Sequence, residues 1–142
     1  MNRTALKAQL RLHEGVRLTP YTCTAGKLTI GVGRNLTDVG ISAREAAYML
    51  ESDIDRTLTA LVDALPWALG LSDVRMRVLV DMAFNLGVQG LLGFKRTLHA
   101  VQTRDYEGAA RGMLDSKWAG QVGERAVTLA RMMSTGEDYK DD

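Results

Sequence analysis

The sequence predicts an α+β fold, mainly α: a small N-terminal β-hairpin or sheet lobe joined by a long helix to a helical C-terminal lobe. Three observations carry that expectation. Apolar residues recur on 3.6-residue spacing over most of the chain, and period two appears only between Leu18 and Val32. The chain contains two prolines, which disfavours a loop-rich all-β sandwich. Helix, small sheet, then helices alone is the order of an α+β layout. A length of 142 residues with 46% apolar content suits one domain with a packed core. We place that domain at 1–136, with an N-terminal lobe over about 15–45 and a helical lobe over about 60–136 plus the first helix.

The first helix is marked by Leu6, Leu10 and Glu14, with Gly15 where a helix C-terminal glycine belongs. Leu28, Ile30 and Val32 then alternate with Thr29, Gly31 and Gly33, giving a strand with one apolar face and Thr29 on the face free of the core. Tyr21-Thr22-Cys23-Thr24 is β-prone and Ala25-Gly26 supplies a turn, so the segment reads as a hairpin with Cys23 at its turn. Ser42 and Glu45 form a capping box that opens a long helix. Its apolar stripe runs through Ala46, Leu50, Ile54, Leu58, Leu61 and Leu65, and Pro66 ends it. Ser72 opens a third helix that closes at Gly87. Short helices follow over about 94–102, 105–114 and 122–133, separated by Gly93, Arg104-Asp105 and Gly120–Gly123.

The net charge of +1 is distorted by residues 137–142, which hold four acids and one base. We set that stretch aside as a native tail or the remnant of an epitope tag. The body is mildly basic, too weakly for a nucleic-acid footprint. The bases of the last helices are spread over several elements, which argues against a helix-turn-helix DNA binder. One cysteine, Cys23, closes no internal disulfide, and with His13 and His99 it makes a poor zinc set, so no metal and no cofactor are expected. The N-terminus lacks the apolar stretch of a signal peptide. The longest charge-free run, Met82 to Phe94, has 13 residues, short of the roughly 20 that span a bilayer. A soluble protein made in the cytoplasm, without membrane insertion, is the expectation.

Glu14 breaks a local rule. It stands in the last turn of its helix, beside the negative end of the macrodipole, where a cation is favoured. Such a dipole disfavours a charged carboxylate, which suits a general acid, and local rules are broken most often at functional sites. By position alone it also reads as a solvated surface glutamate. A single cysteine such as Cys23 is ordinarily a small buried hydrophobe, and Thr29 is ordinary strand filling. Glycines 26, 31 and 33 thin the sheet and let an extended ligand approach the backbone. Trp67, Trp118, Phe84 and Phe94 read first as core or lobe contacts.

The combination is more specific than any member. Glu14-Gly-Val-Arg-Leu-Thr-Pro-Tyr21, then Cys23, then Gly26-Lys-Leu-Thr-Ile-Gly-Val-Gly33, resembles the phage-type lysozymes, or endolysins. That family carries a glutamate, eight intervening residues, an aspartate or cysteine, five more, then a threonine; Glu14, Cys23 and Thr29 fit without a gap. The resemblance continues through Ser42-x-x-Glu45, Phe84-Asn85-Leu86-Gly87, Gly93-Phe94, Lys117-Trp118 and Gln121-x-x-x-Arg125-Ala126. It implies a lysozyme-like fold with Glu14, Cys23 and Thr29 catalytic and Phe84, Asn85 and Arg125 substrate-facing. In the family an arginine at the position of Arg125 approaches the catalytic glutamate. Two departures stand out: Cys23 replaces the commoner aspartate, and Arg34 replaces a histidine of the T4-type enzyme. The connection from Gly33 to Ser42 is also short, which implies a trimmed N-terminal lobe.

The resemblance implies hydrolysis of the β-1,4 bond between N-acetylmuramic acid and N-acetylglucosamine, with Glu14 as acid and Cys23 and Thr29 on the opposite side. Cys23 either attacks as a thiolate or orients water; water fits an inverting reaction and asks less of the site. It further implies peptidoglycan as substrate, a monomer, and a holin as functional partner without direct contact, releasing the enzyme from the host cytoplasm to the wall. A lytic transglycosylase cutting the same bond is the nearest alternative. A non-catalytic wall-binding helical module is the second.

Overall fold

The computed structural model describes residues 1–140; the last two residues of the acidic tail lie outside the described residues. The chain forms an α+β, mainly α structure, with a small antiparallel sheet near the N-terminus and helices after it. It divides into two compact units, Met1–Met49 and Leu50 onward, and each is described by itself.

In the first unit α1 spans Arg3–Glu14. Asn2 caps it by accepting from the Ala5 N–H, and Gly15, at φ +77°, ends it by donating to the Arg11 carbonyl. None of its residues is buried. The sheet follows as β1 (Arg17–Thr22), β2 (Leu28–Gly31) and β3 (Arg34–Asn35), in that spatial order. Cys23 and Lys27 close the β1–β2 turn: the Cys23 N–H donates to the Lys27 carbonyl and the Gly26 N–H to the Cys23 carbonyl, both at 2.9 Å. Tyr21 pairs with Thr29, and Thr29 with Asn35. β3, with two residues, is too short for a period to register in the sequence.

One expectation about this sheet is corrected. Alternation puts Thr29 on the face free of the core, yet it is 4% exposed and is the only buried residue of the unit, while Leu28 is 46% exposed. Alternation tells which residues share a face, not which face is covered. Here the central strand turns its hydroxyl inward, and no residue of the buried apolar core belongs to this unit.

Helix α2 (Ala43–Ala64) begins as its capping box requires: the Ser42 N–H donates to Glu45 Oε1 at 2.9 Å, and the Glu45 N–H to Ser42 Oγ at 3.1 Å. The division between the units falls within this helix. Its predicted stripe is buried only at the far end, at Leu61 and Leu65; Leu50 and Leu58 are exposed. A 3₁₀ turn, Pro66–Gly70, follows.

The second unit holds the apolar core. α3 (Asp73–Leu86), α4 (Val88–Leu92), α5 (Lys95–Gln102), α6 (Tyr106–Leu114), α7 (Lys117–Val122) and α8 (Glu124–Thr135) enclose Leu61, Val78, Leu79, Met82, Leu91, Met113 and Met133. Ser72 caps α3 by accepting from the Arg75 N–H. Arg75 lies 3.5 Å over the Tyr106 ring and donates to the carbonyls of Met133 and Ser134, satisfying groups at the end of α8 that have no helical partner. α4 and α7 go beyond the short helices expected from the sequence, which treats Gly120–Gly123 as a separator. At Gly90 a Cβ would stand 2.9 Å from the Leu86 Cβ, so the glycine serves close packing inside a helix. Trp118 is buried against the edge of Phe94, with ring centroids 6.1 Å apart.

Candidate functional site

The first unit brings the Glu14 carboxylate against the sheet. A Cβ built on Gly33 would stand 2.8 Å from Glu14 Oε2 and 3.0 Å from Cδ, so the carboxylate lies flush over the bare Gly33 Cα. Gly33 has φ +69° and, with Gly31 at the same angle, brackets the β2–β3 turn. The helix delivers Glu14 to this place because Gly15 stops α1 immediately after it. The side chain remains solvent-accessible, as a proton donor to an external substrate must be.

Cys23 sits in the β1–β2 turn and Thr29 on β2. The Thr29 hydroxyl donates to the Lys27 carbonyl at 2.9 Å and lies within hydrogen-bond reach of the Cys23 sulfur, to which it can donate when the thiol ionises. Cys23 is half-buried, and its thiol is held below the ordinary thiol value. The backbone N–H of Lys27 is the main cause and that of Ala25 the next; burial opposes them, and the Thr29 hydroxyl adds to them. The tight turn therefore favours an anion at position 23.

Sequence reasoning did not assign a role to the pair behind Gly33. Arg34 makes two parallel bonds to Glu45, Nη1 to Oε1 at 2.8 Å and Nη2 to Oε2 at 2.7 Å. The Arg34 guanidinium, followed by the Ser42 N–H and hydroxyl, holds the Glu45 carboxyl down at about 2. The signals were present as a departure at Arg34 and a capping box at Glu45, but no spacing rule links them.

Phe84, Asn85 and Arg125 belong to the second unit. Phe84, read first as core, is 44% exposed and lines a groove of about 700 Å³ with Leu50, Ile54, Val80, Leu129 and Met132. Asn85 Oδ1 accepts from the buried Trp118 indole at 2.8 Å. Arg125 Nη2 lies 2.7 Å from Asp81 Oδ1, and Nε donates to the same oxygen at 2.9 Å. Among the described residues no cluster of three or more His, Cys, Asp or Glu side chains is placed to hold a metal, and no helix is long and apolar enough to cross a membrane.

The chain is similar to known lysozymes. The family model described as phage lysozyme matches residues 11–132. The probable T4-type lysozyme 1 of Dictyostelium discoideum is 23% identical over 94% of this chain and 95% of its own length. The endolysin of Acyrthosiphon pisum secondary endosymbiont phage 1 is 29% identical over 78% of this chain and 74% of its own. The pre-baseplate central spike protein Gp5 of Enterobacteria phage T4 is 27% identical over 93% of this chain but only 28% of that protein. The match over 11–132 takes in Glu14, the whole sheet and nearly all of the helical unit, and the chain belongs to the phage lysozyme family, with a lysozyme-type role in cell-wall lysis.

Proposed function

We propose that the protein hydrolyses the β-1,4 bond between N-acetylmuramic acid and N-acetylglucosamine in peptidoglycan, acting as an endolysin in host-cell lysis. The observation that carries this reading is the seat of Glu14 on Gly33, which sets one accessible carboxylic acid beside the sheet that holds Thr29 and, at its β1–β2 turn, Cys23. Glycosidic cleavage needs a proton for the leaving oxygen and help for an oxocarbenium-like transition state on the other face of the sugar. Glu14 supplies the proton. Cys23 and Thr29 orient the water that attacks the anomeric carbon, so the products gain one water and the configuration inverts. Phe84 keeps a free face for a sugar ring, whereas Asn85 and Arg125 already have partners within the chain.

The lowered Cys23 thiol favours a second reading, in which the thiolate attacks the anomeric carbon and water later releases the thioglycoside, with retention. The two readings separate cleanly: nucleophilic attack is lost in Cys23→Ser and after alkylation, whereas water orientation survives the serine variant in large part. Access to the wall is proposed to follow release from the cytoplasm by a holin that the enzyme does not touch.

The test is clearing of chloroform-treated Gram-negative cells followed by turbidity. The parent protein is expected to clear the suspension and Glu14→Gln to leave it turbid. Absence of clearing by the folded parent would support a non-catalytic wall-binding module instead.

A further inference from the structure

Arg34 follows Gly33 directly in the chain, so whatever fixes one fixes the other. Its guanidinium grips both oxygens of Glu45 and also donates to the Gly40 carbonyl at 3.2 Å. Glu45 Oε1 accepts in addition from the Ser42 N–H. The Arg34–Glu45 pair thus joins β3, the loop at Gly40 and the first turn of α2. Isolated half-exposed ion pairs contribute little, but a bidentate fork tied into backbone groups fixes orientation as well as distance. Glu45 titrates near 2, so the bridge stays intact across the neutral range.

The residue just before Arg34 carries Glu14 against its Cα. Gly33 offers a bare Cα as the wall on which the carboxylate rests, and any drift of Gly33 moves that wall. We propose that Arg34 and Glu45 are the positioning pair for the Glu14 carboxylate: their bridge locks the backbone at Gly33, and Gly33 sets where Glu14 lies. Neither residue is offered as touching the sugar. The proposal deepens the reading above and rests on Glu14 as proton donor.

The experiment uses the full chain with Arg34→Gln, Arg34→Lys, Glu45→Gln and the double variant Arg34→Gln/Glu45→Gln, assayed on soluble peptidoglycan fragments, with Glu14→Gln in parallel. In the folded Gln variants kcat is expected to fall by about 10- to 100-fold, the scale set by small misplacement of a reacting group, while KM stays within about twofold. The double variant is expected to lose no more than the worse single one, since the two act as one unit. Lysine keeps the charge without the fork and recovers only part of the loss. The ¹³C carboxyl resonance of Glu14 and the amide resonance of Gly33 move in both Gln variants. A clamp with a merely structural role would lower the melting temperature and leave kcat per folded molecule and both resonances in place; that result overturns the proposal. Undiminished lysis by Glu14→Gln refutes the proton-donor reading instead, and the two resonances then still decide whether the bridge positions the Glu14 side chain.

Discussion

The Glu14 carboxylate and the Gly33 Cα touch so closely that no side chain fits between them: a Cβ at position 33 would lie 2.8 Å from Oε2. Gly31 has the same φ of +69°, but a Cβ there would meet nothing within 4 Å. Both alanine variants incur the left-handed backbone strain, on the order of 1–2 kcal/mol, and only Gly33→Ala displaces the carboxylate. Similar losses of melting temperature are expected, with kcat falling about tenfold or more in Gly33→Ala alone. Equal activity in the two variants would show that the contact does not matter to catalysis.

Asn85 accepts the only polar hydrogen of the Trp118 indole, and Trp118 is 3% exposed. Asn85→Ala leaves that donor without its partner, and thermal or urea unfolding is expected to show a loss of roughly 1–3 kcal/mol. Asn85→Asp keeps an acceptor and is expected to lose less.

Along α2, Leu61 is fully buried and Leu58 is 37% exposed, although the sequence places both on one stripe. Leu61→Ala is expected to cost about 2–5 kcal/mol by transfer and cavity formation, whereas Leu58→Ala falls below about 1.5 kcal/mol. Denaturant midpoints compared at unchanged slope measure the difference.

Glu45 is depressed from its ordinary 4.5 to about 2. The stability that its ionised form contributes is fully present above pH 4.5 and is lost as pH falls toward 2. The stability gap between the parent and Glu45→Gln is therefore expected to be constant at neutral pH and to narrow between pH 4.5 and 2. Unfolding curves collected across that interval check it, and a gap unchanged down to pH 2 would contradict the bridge.

The Cys23 thiol, held below its ordinary value chiefly by the Lys27 N–H, is expected to alkylate at neutral pH faster than a free cysteine. Thr29→Val removes one hydrogen bond to the thiolate, so the midpoint of the alkylation rate against pH should rise. A midpoint that falls or stays put would remove Thr29 from the thiol's surroundings.

Much of the fold was legible because its signals are local. Ser42 and Ser72 mark helix starts through bonds made within three residues, and Gly15 and Gly87 mark ends through positive φ. Glycines inside helices defeated the same logic: Gly90 is held by close packing on Leu86, while Gly120 sits in open space and ends nothing. The candidate site was legible as a spacing, Glu14, Cys23 and Thr29, and not as a surface. Which face of the sheet is covered, the Glu14 seat on Gly33 and the grip of Arg34 on Glu45 all depend on segments 11 to 19 residues apart. Alternation and capping rules carry no information at that range.

The central claim is that Glu14 protonates the bridging oxygen of the glycan while water takes the new sugar end. Mass spectrometry of muropeptides released from purified peptidoglycan, in ordinary and ¹⁸O-labelled water, tests it most directly. The parent enzyme is predicted to give reducing muramic ends carrying one solvent oxygen, and a folded Glu14→Gln variant is predicted to release none. Parent products with 1,6-anhydro ends, or wild-type release by Glu14→Gln, would contradict the account.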